Sequence, residues 1–151
     1  MRLEARVRRV AALTRHEWRV LADGAIAAAR IELGLRTRPL ASVIAWAESR
    51  SAARGPGAVA AHRLSVLSSW PYRAVGWTPS CLRRSLVLTT LLRQSGQPAV
   101  LCVGVRREGA QIRAHAWVEC GADAFDATAE PFERLNPTVA GRISRSARWS
   151  P

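Results

Sequence analysis

The chain has 151 residues, 48% of them apolar, enough for one compact domain with its own core and too few for several. All 23 basic residues are arginine, against 11 acids, so the formal net charge of +12 persists at any physiological pH. Asp23, Arg30 and Glu32 interrupt the most apolar helical stretch, and no run approaches the roughly 18 to 20 residues of a membrane span, which excludes an integral membrane protein.

The N-terminus, Met1 to Arg9, alternates charge and has no apolar stretch or small-residue cleavage site behind it, so no secretion signal is expected and the protein is placed in the cytoplasm. There Cys81, Cys102 and Cys120 stay reduced, and a disulfide scaffold is not expected. The positive charge is spread out: residues 1 to 80 hold 13 Arg and 5 acids, residues 81 to 151 hold 10 Arg and 6 acids. The six tryptophans are scattered too, without the basic stripe and interleaved aromatics of a nucleic-acid binder. Most of the arginines read as a solvated surface; an acidic peptide or protein, or peripheral contact with an anionic membrane face, is the alternative use for them.

In chain order, Leu3, Val7, Val10 and Thr14 begin a helical stripe that Trp18, Leu21, Ala25, Ala28 and Ala29 continue. A second helix is expected at Leu40, Val43, Ile44 and Ala47, opened by Pro39. Together they make an N-terminal helical region, residues 1–56, ending in a linker with Gly55-Pro56-Gly57. A further helix is predicted over about 58 to 69, broken by Trp70-Pro71. Leu82 to Gln94 is strongly helical and stops at Ser95-Gly96. Three strands follow, at Ala99 to Val105, Gln111 to Glu119 and Ala124 to Thr128, giving an α+β core over 57–135. Residues 136–151, rich in Arg and Ser, read as a flexible tail.

The chemistry begins at Thr78-Pro79-Ser80-Cys81. Thr78 suits an N-cap and Pro79 a first helical position, which puts Cys81 in the first turn among unpaired backbone N–H groups. There the helix dipole favours a thiolate and the free amides favour an oxyanion, and Arg83 and Arg84 act in the same direction. A thiolate nucleophile needs a proton carrier, and there are three histidines. His16 lies on a charged helical face and nothing near His62 gives it a task, whereas His115 sits in an alternating strand, sharing a face with Trp117 and Glu119.

A two-residue turn at Gly121-Ala122 sets Asp126 opposite Trp117 and diagonal to His115; a turn at Cys120-Gly121 sets it directly opposite His115. In either register the Asp126 carboxylate is expected to accept the Nδ1 proton of His115 and leave Nε2 facing Cys81, with Asp123 and Glu119 as substitutes. Each residue alone has an ordinary structural role: a small buried thiol, a satisfied strand histidine. Zinc is not expected, since there is no C-x-x-C pair and Cys102 is taken to point off the reactive face; Cys102 and Cys120 read as packing residues. No cofactor is called for.

The order Cys81, then His115 34 residues on, then Asp126 11 residues further, resembles the transglutaminase-like cysteine proteases. Within them, the Cys81–Leu88 string, Leu91-Leu92-Arg93, Gly96, Val103-Gly104-Val105-Arg106 and Ala114–Glu119 resemble the leader peptidases of lasso-peptide biosynthesis, over roughly residues 77 to 128. The resemblance implies a transglutaminase-like, papain-like core with the nucleophile helix packed on an antiparallel sheet. Cys81 is then the nucleophile, His115 the base and acid, and Asp126 the residue that orients it. One departure is that Phe125 precedes Asp126, where the family usually carries Asn and a longer hairpin.

The resemblance also implies a precursor (leader) peptide as substrate, a separate leader-recognition protein that delivers it, and an ATP-dependent lasso cyclase acting afterwards, the peptidase working in trans. Trp117 and Glu119 are expected to line the substrate cleft, with a core role for Trp117 equally compatible. The alternatives are a transamidase on the same triad and a non-catalytic Arg-rich module for an acidic partner.

Overall fold

The computed structural model describes residues 13–50, 59–128 and 132–135. The stripe at Leu3, Val7 and Val10, most of the Gly-Pro-Gly linker and the 136–151 tail lie outside them. The described elements are α1 (Arg15–Thr37), α2 (Leu40–Glu48), α3 (Ala61–Leu67), α4 (Trp70–Ala74), α5 (Cys81–Gln94), β1 (Ala99–Glu108), β2 (Gln111–Cys120), β3 (Asp123–Phe125) and β4 (Glu133–Arg134). The strands form one antiparallel sheet in the order β3-β2-β1-β4.

α1 starts where the sequence supplies a capping box. Thr14 Oγ1 accepts from Glu17 N at 3.2 Å, and Glu17 Oε2 accepts from Thr14 N at 2.8 Å. Its buried face is Val20, Gly24, Ala27, Ala28 and Ile31; of the expected stripe Ala28 is buried and Leu21 packs on the core, whereas Trp18, Ala25 and Ala29 are exposed. α3 ends just before Trp70-Pro71, as expected, and that pair opens the short α4, because a proline in the first turn gives up only an N–H that has no intrahelical partner.

α5 is the centre of the molecule. Leu86, Val87, Leu88 and Leu92 are fully buried, and the helix packs on α1, α2 and α3 along one side and on β1 and β2 along the other. It ends at Ser95, where Gly96 supplies φ +76°. Glu48 at the end of α2 ties these layers together: its carboxylate accepts from Leu101 N at 3.0 Å and its carbonyl from Arg93 Nε at 2.6 Å. Ala116, Val118 and Cys120 of β2 face α5, so His115, Trp117 and Glu119 lie on the alternate face.

Candidate functional site

Cys81 is the first residue of α5. The N-cap is Ser80, not Thr78, so the helix starts two residues later than its sequence predicts. The preceding segment is held elsewhere: Trp77 N donates to Tyr72 O at 2.9 Å, the Trp77 ring packs edge-on to Tyr72, and the Arg83 guanidinium lies 5.1 Å over it. Ser80 Oγ accepts from Arg83 Nη1 at 3.4 Å and does not cap the helix. The first-turn backbone amides therefore remain open beside a half-buried thiol.

Three residues after Cys81 anchor it. Arg83 Nε donates to Glu32 Oε1 at 2.8 Å, and the Tyr72 hydroxyl donates to the same oxygen at 3.3 Å. Burial first, and the Glu32 charge second, push the Tyr72 hydroxyl above its ordinary pKa, so it stays a donor. Ser85, one turn beyond Cys81 on the same helix face, is fully buried and donates its Oγ to Ala116 O at 3.1 Å. That bond fastens the Cys81 face of α5 to the residue next to His115. Arg84 Nε donates to Asp126 Oδ2 at 2.6 Å.

The β2–β3 register pairs Cys120 with Asp123 and Val118 with Phe125, which is the two-residue turn at Gly121-Ala122. The third strand is shorter than expected, ending at Phe125, because Asp126 turns out of it with φ +62°, a conformation Asp tolerates better than most side chains. The turn reverses the expected use of Asp126. Its backbone carbonyl, not its carboxylate, meets His115, with Nε2 donating at 2.6 Å, while the carboxylate goes to Arg84. A carbonyl only accepts, so Nε2 holds the ring proton and Nδ1 is the basic nitrogen of neutral His115.

His115 and Asp126 are thus directly bonded, and Cys81 is linked to them through Arg84 and Ser85 of its own helix; no hydrogen bond joins Cys81 to His115 among the described residues. Trp117 stacks nearly parallel to the His115 ring, with centroids 6.3 Å apart, and its indole N–H donates to Glu119 Oε1 at 3.1 Å. That bond first, and the Arg134 charge less strongly, hold the Glu119 carboxyl below the usual range. Asp123 is exposed at the start of β3, and His16 and His62 are exposed on helices. Cys102 pairs with Trp117 and so shares the His115 face, against expectation, but is buried there, which pushes its thiol up to about 11. Burial also raises Cys120. Among the described residues no group of three His, Cys, Asp or Glu side chains is placed to hold a metal, and no helix is long and apolar enough to cross a membrane.

The sequence reading missed Arg84 as the partner of Asp126, and Ser85 as the tie to β2. The i, i+4 spacing of Cys81 and Ser85 was the available signal for the second. Two expected outcomes follow. Asp126→Asn keeps the left-handed turn and the carbonyl, so its effect on Cys81 reactivity stays under about tenfold, as for loss of a partly exposed ion pair; alkylation kinetics check this. Glu119 has a lowered pKa in the folded state, so its contribution is complete above its ordinary value of 4.5 and is lost as pH falls through the lower folded value. Glu119→Gln should therefore flatten the acid limb of stability below about pH 4.5 in urea titrations.

Comparison with known proteins accords with this arrangement of a cysteine at a central helix start and a histidine on an antiparallel sheet. No curated protein and no solved structure matches the chain. Residues 5–140 match the family described as the transglutaminase-like superfamily, whose members are commonly cysteine-dependent enzymes. The match takes in the helices before Cys81 as well as the sheet, and the chain belongs to the transglutaminase-like superfamily.

Proposed function

We propose that the protein is a cysteine peptidase that removes the leader from a ribosomally made lasso-peptide precursor. Cys81 acts as nucleophile, His115 as base and acid, and Asp126 as the residue that orients His115. The observation that carries this reading is Cys81 at the uncapped first turn of the central helix of a transglutaminase-like chain; the His115 Nε2–H bond to Asp126 O leaves Nδ1 as the ring nitrogen that can take a proton. Proton transfer to Nδ1 gives the thiolate. Its sulfur attacks the carbonyl at the leader–core junction, and the oxyanion meets the Cys81 backbone N–H at the open end of α5. The C–N bond breaks as His115 protonates the core amine. Water, deprotonated by His115, then splits the thioester, releasing the leader carboxylate and returning the proton to sulfur.

The family resemblance of the 77–128 segment supports the precursor as substrate and a separate leader-recognition protein as the delivering partner, with the cyclase acting on the released core. Purified protein, the recognition partner and the precursor peptide should give leader and core by mass spectrometry. Cys81→Ala should give neither, and product from that variant would overturn the assignment. Capture of the acyl-enzyme by an added amine, in place of water, would reassign the same site to transamidation. Iodoacetamide near pH 6 should modify Cys81 well ahead of Cys102 and Cys120, whose thiols are buried and raised.

One observation favours a second reading, a binding module for an acidic partner. The groove between α1 and α2, about 260 Å³, is lined by Arg30, Arg38, Leu33 and Trp46, and neither arginine has an ion pair among the described residues. On that reading Arg30→Glu with Arg38→Glu abolishes function and Cys81→Ala does not.

A further inference from the structure

β4 is the edge strand beyond β1, and Phe132, immediately before it, reaches back across β1 to His115 on β2. Gly104 of β1 is the register partner of His115 on one side and of Arg134 on the other. A Cβ on Gly104 would lie 2.8 Å from Phe132 Cβ, 3.0 Å from Glu133 O and 3.0 Å from Trp117 Cη2. A glycine inside a strand marks such a close approach of another piece of chain. What uses the space is Phe132, whose ring centroid is 5.3 Å from that of His115 at a 37° tilt. The segment is pinned at several points. Leu135 N donates to Val103 O at 2.8 Å, Arg134 pairs with Glu119, and the Arg106 guanidinium lies 4.9 Å over the Phe132 ring. Glu119 in turn holds the Trp117 indole, so Trp117 and Phe132 are held by one network while both contact the imidazole.

A single hydrogen bond at Nε2 leaves the imidazole free to swing about its own χ angles. Two aromatic contacts restrict that swing, and aromatic pairs of this spacing are attractive beyond their buried area. We propose that Phe132 is a positioning residue for His115, admitted to the ring by the missing side chain at Gly104, and that it holds Nε2 on Asp126 O and so keeps Nδ1 as the basic nitrogen. This rests on the function proposed above only for its consequence at Cys81; the effect on the ring stands by itself.

The test uses the full chain with ¹⁵N-labelled histidine, in which ring nitrogen shifts report the tautomer. Wild type should show the Nε2–H form of His115. Phe132→Ala should mix the two tautomers and lower the Cys81 alkylation rate near pH 6 by about tenfold, and Phe132→Tyr should restore both. Gly104→Ala should match Phe132→Ala, and the double variant should be no worse than either single one, because both changes remove one contact. If Gly104→Ala does not fold, Phe132→Ala and Phe132→Tyr still decide the matter. A pure Nε2–H tautomer in Phe132→Ala overturns the proposal, as does a wild type already mixed. If instead wild-type Cys81 is no faster than an ordinary thiol, the peptidase reading fails, and the tautomer of Phe132→Ala still confirms or overturns the positioning role.

Discussion

His115→Ala lowers precursor cleavage by about 10²- to 10⁴-fold, the range a positioned acid–base group supplies. The loss has two parts. Without the imidazole nothing takes the Cys81 proton, and a free thiol is only about 0.3% ionised at pH 6, so nucleophile alkylation there falls by up to roughly a hundredfold. The amine leaving group also loses its proton donor, and cleavage falls further than alkylation does. Comparing the two rates in one variant separates these roles. Equal losses in both would mean that His115 only activates the thiol, and no loss in either would remove it from the mechanism. The fold should survive, since the side chain lies on the face of β2 turned away from α5 and the backbone pairing with Gly104 is unchanged.

Leu88→Ala has the largest expected effect on stability. Leu88 is fully buried at the middle of α5, where the helices on one side and the sheet on the other close over it. Removing three carbons there forfeits their transfer free energy and leaves a cavity that a helix gripped on both sides cannot collapse, a cost of about 2–5 kcal/mol. Against a typical total of about 5–15 kcal/mol this is a large share, and the melting temperature should drop by roughly 10 °C. Urea titration followed by far-UV circular dichroism measures it. A change under about 0.5 kcal/mol would mean that α5 is not the packing centre. Leu33→Ala, at 63% exposure on α1, is the control and should be near neutral.

The pattern of residues along the chain was enough to place α2, α5 and the β1–β2 hairpin, because each has a strong local signal. Leu40, Val43, Ile44 and Ala47 are all buried as their spacing predicts, and Gly96 ends α5. The α+β class and the face shared by His115, Trp117 and Glu119 follow from the same periodicities, and the chain order of Cys81, His115 and Asp126 carried the family resemblance. Tertiary structure decided the rest. α1 buries Val20, Ala27 and Ile31 and leaves Trp18 exposed because α2, α4 and α5 pack against that side of it. The α5 cap moved from Thr78 to Ser80 because Trp77 is held by Tyr72 and Arg83, contacts between residues on different elements.

At the site, strand parity put Asp126 beside His115 but could not say which of its oxygens would face the ring. That depended on Arg84, 42 residues away in sequence, drawing the carboxylate aside while a left-handed turn presented the carbonyl. The approach of Phe132 across Gly104 was equally beyond local pattern, since a short strand contributed by a distant segment leaves no periodicity to read. Helix and strand periods are set by each residue and its near neighbours, and so are written in the chain; the choice of partner for a buried or half-buried polar atom is settled by whichever donor the packed elements bring within 3 Å.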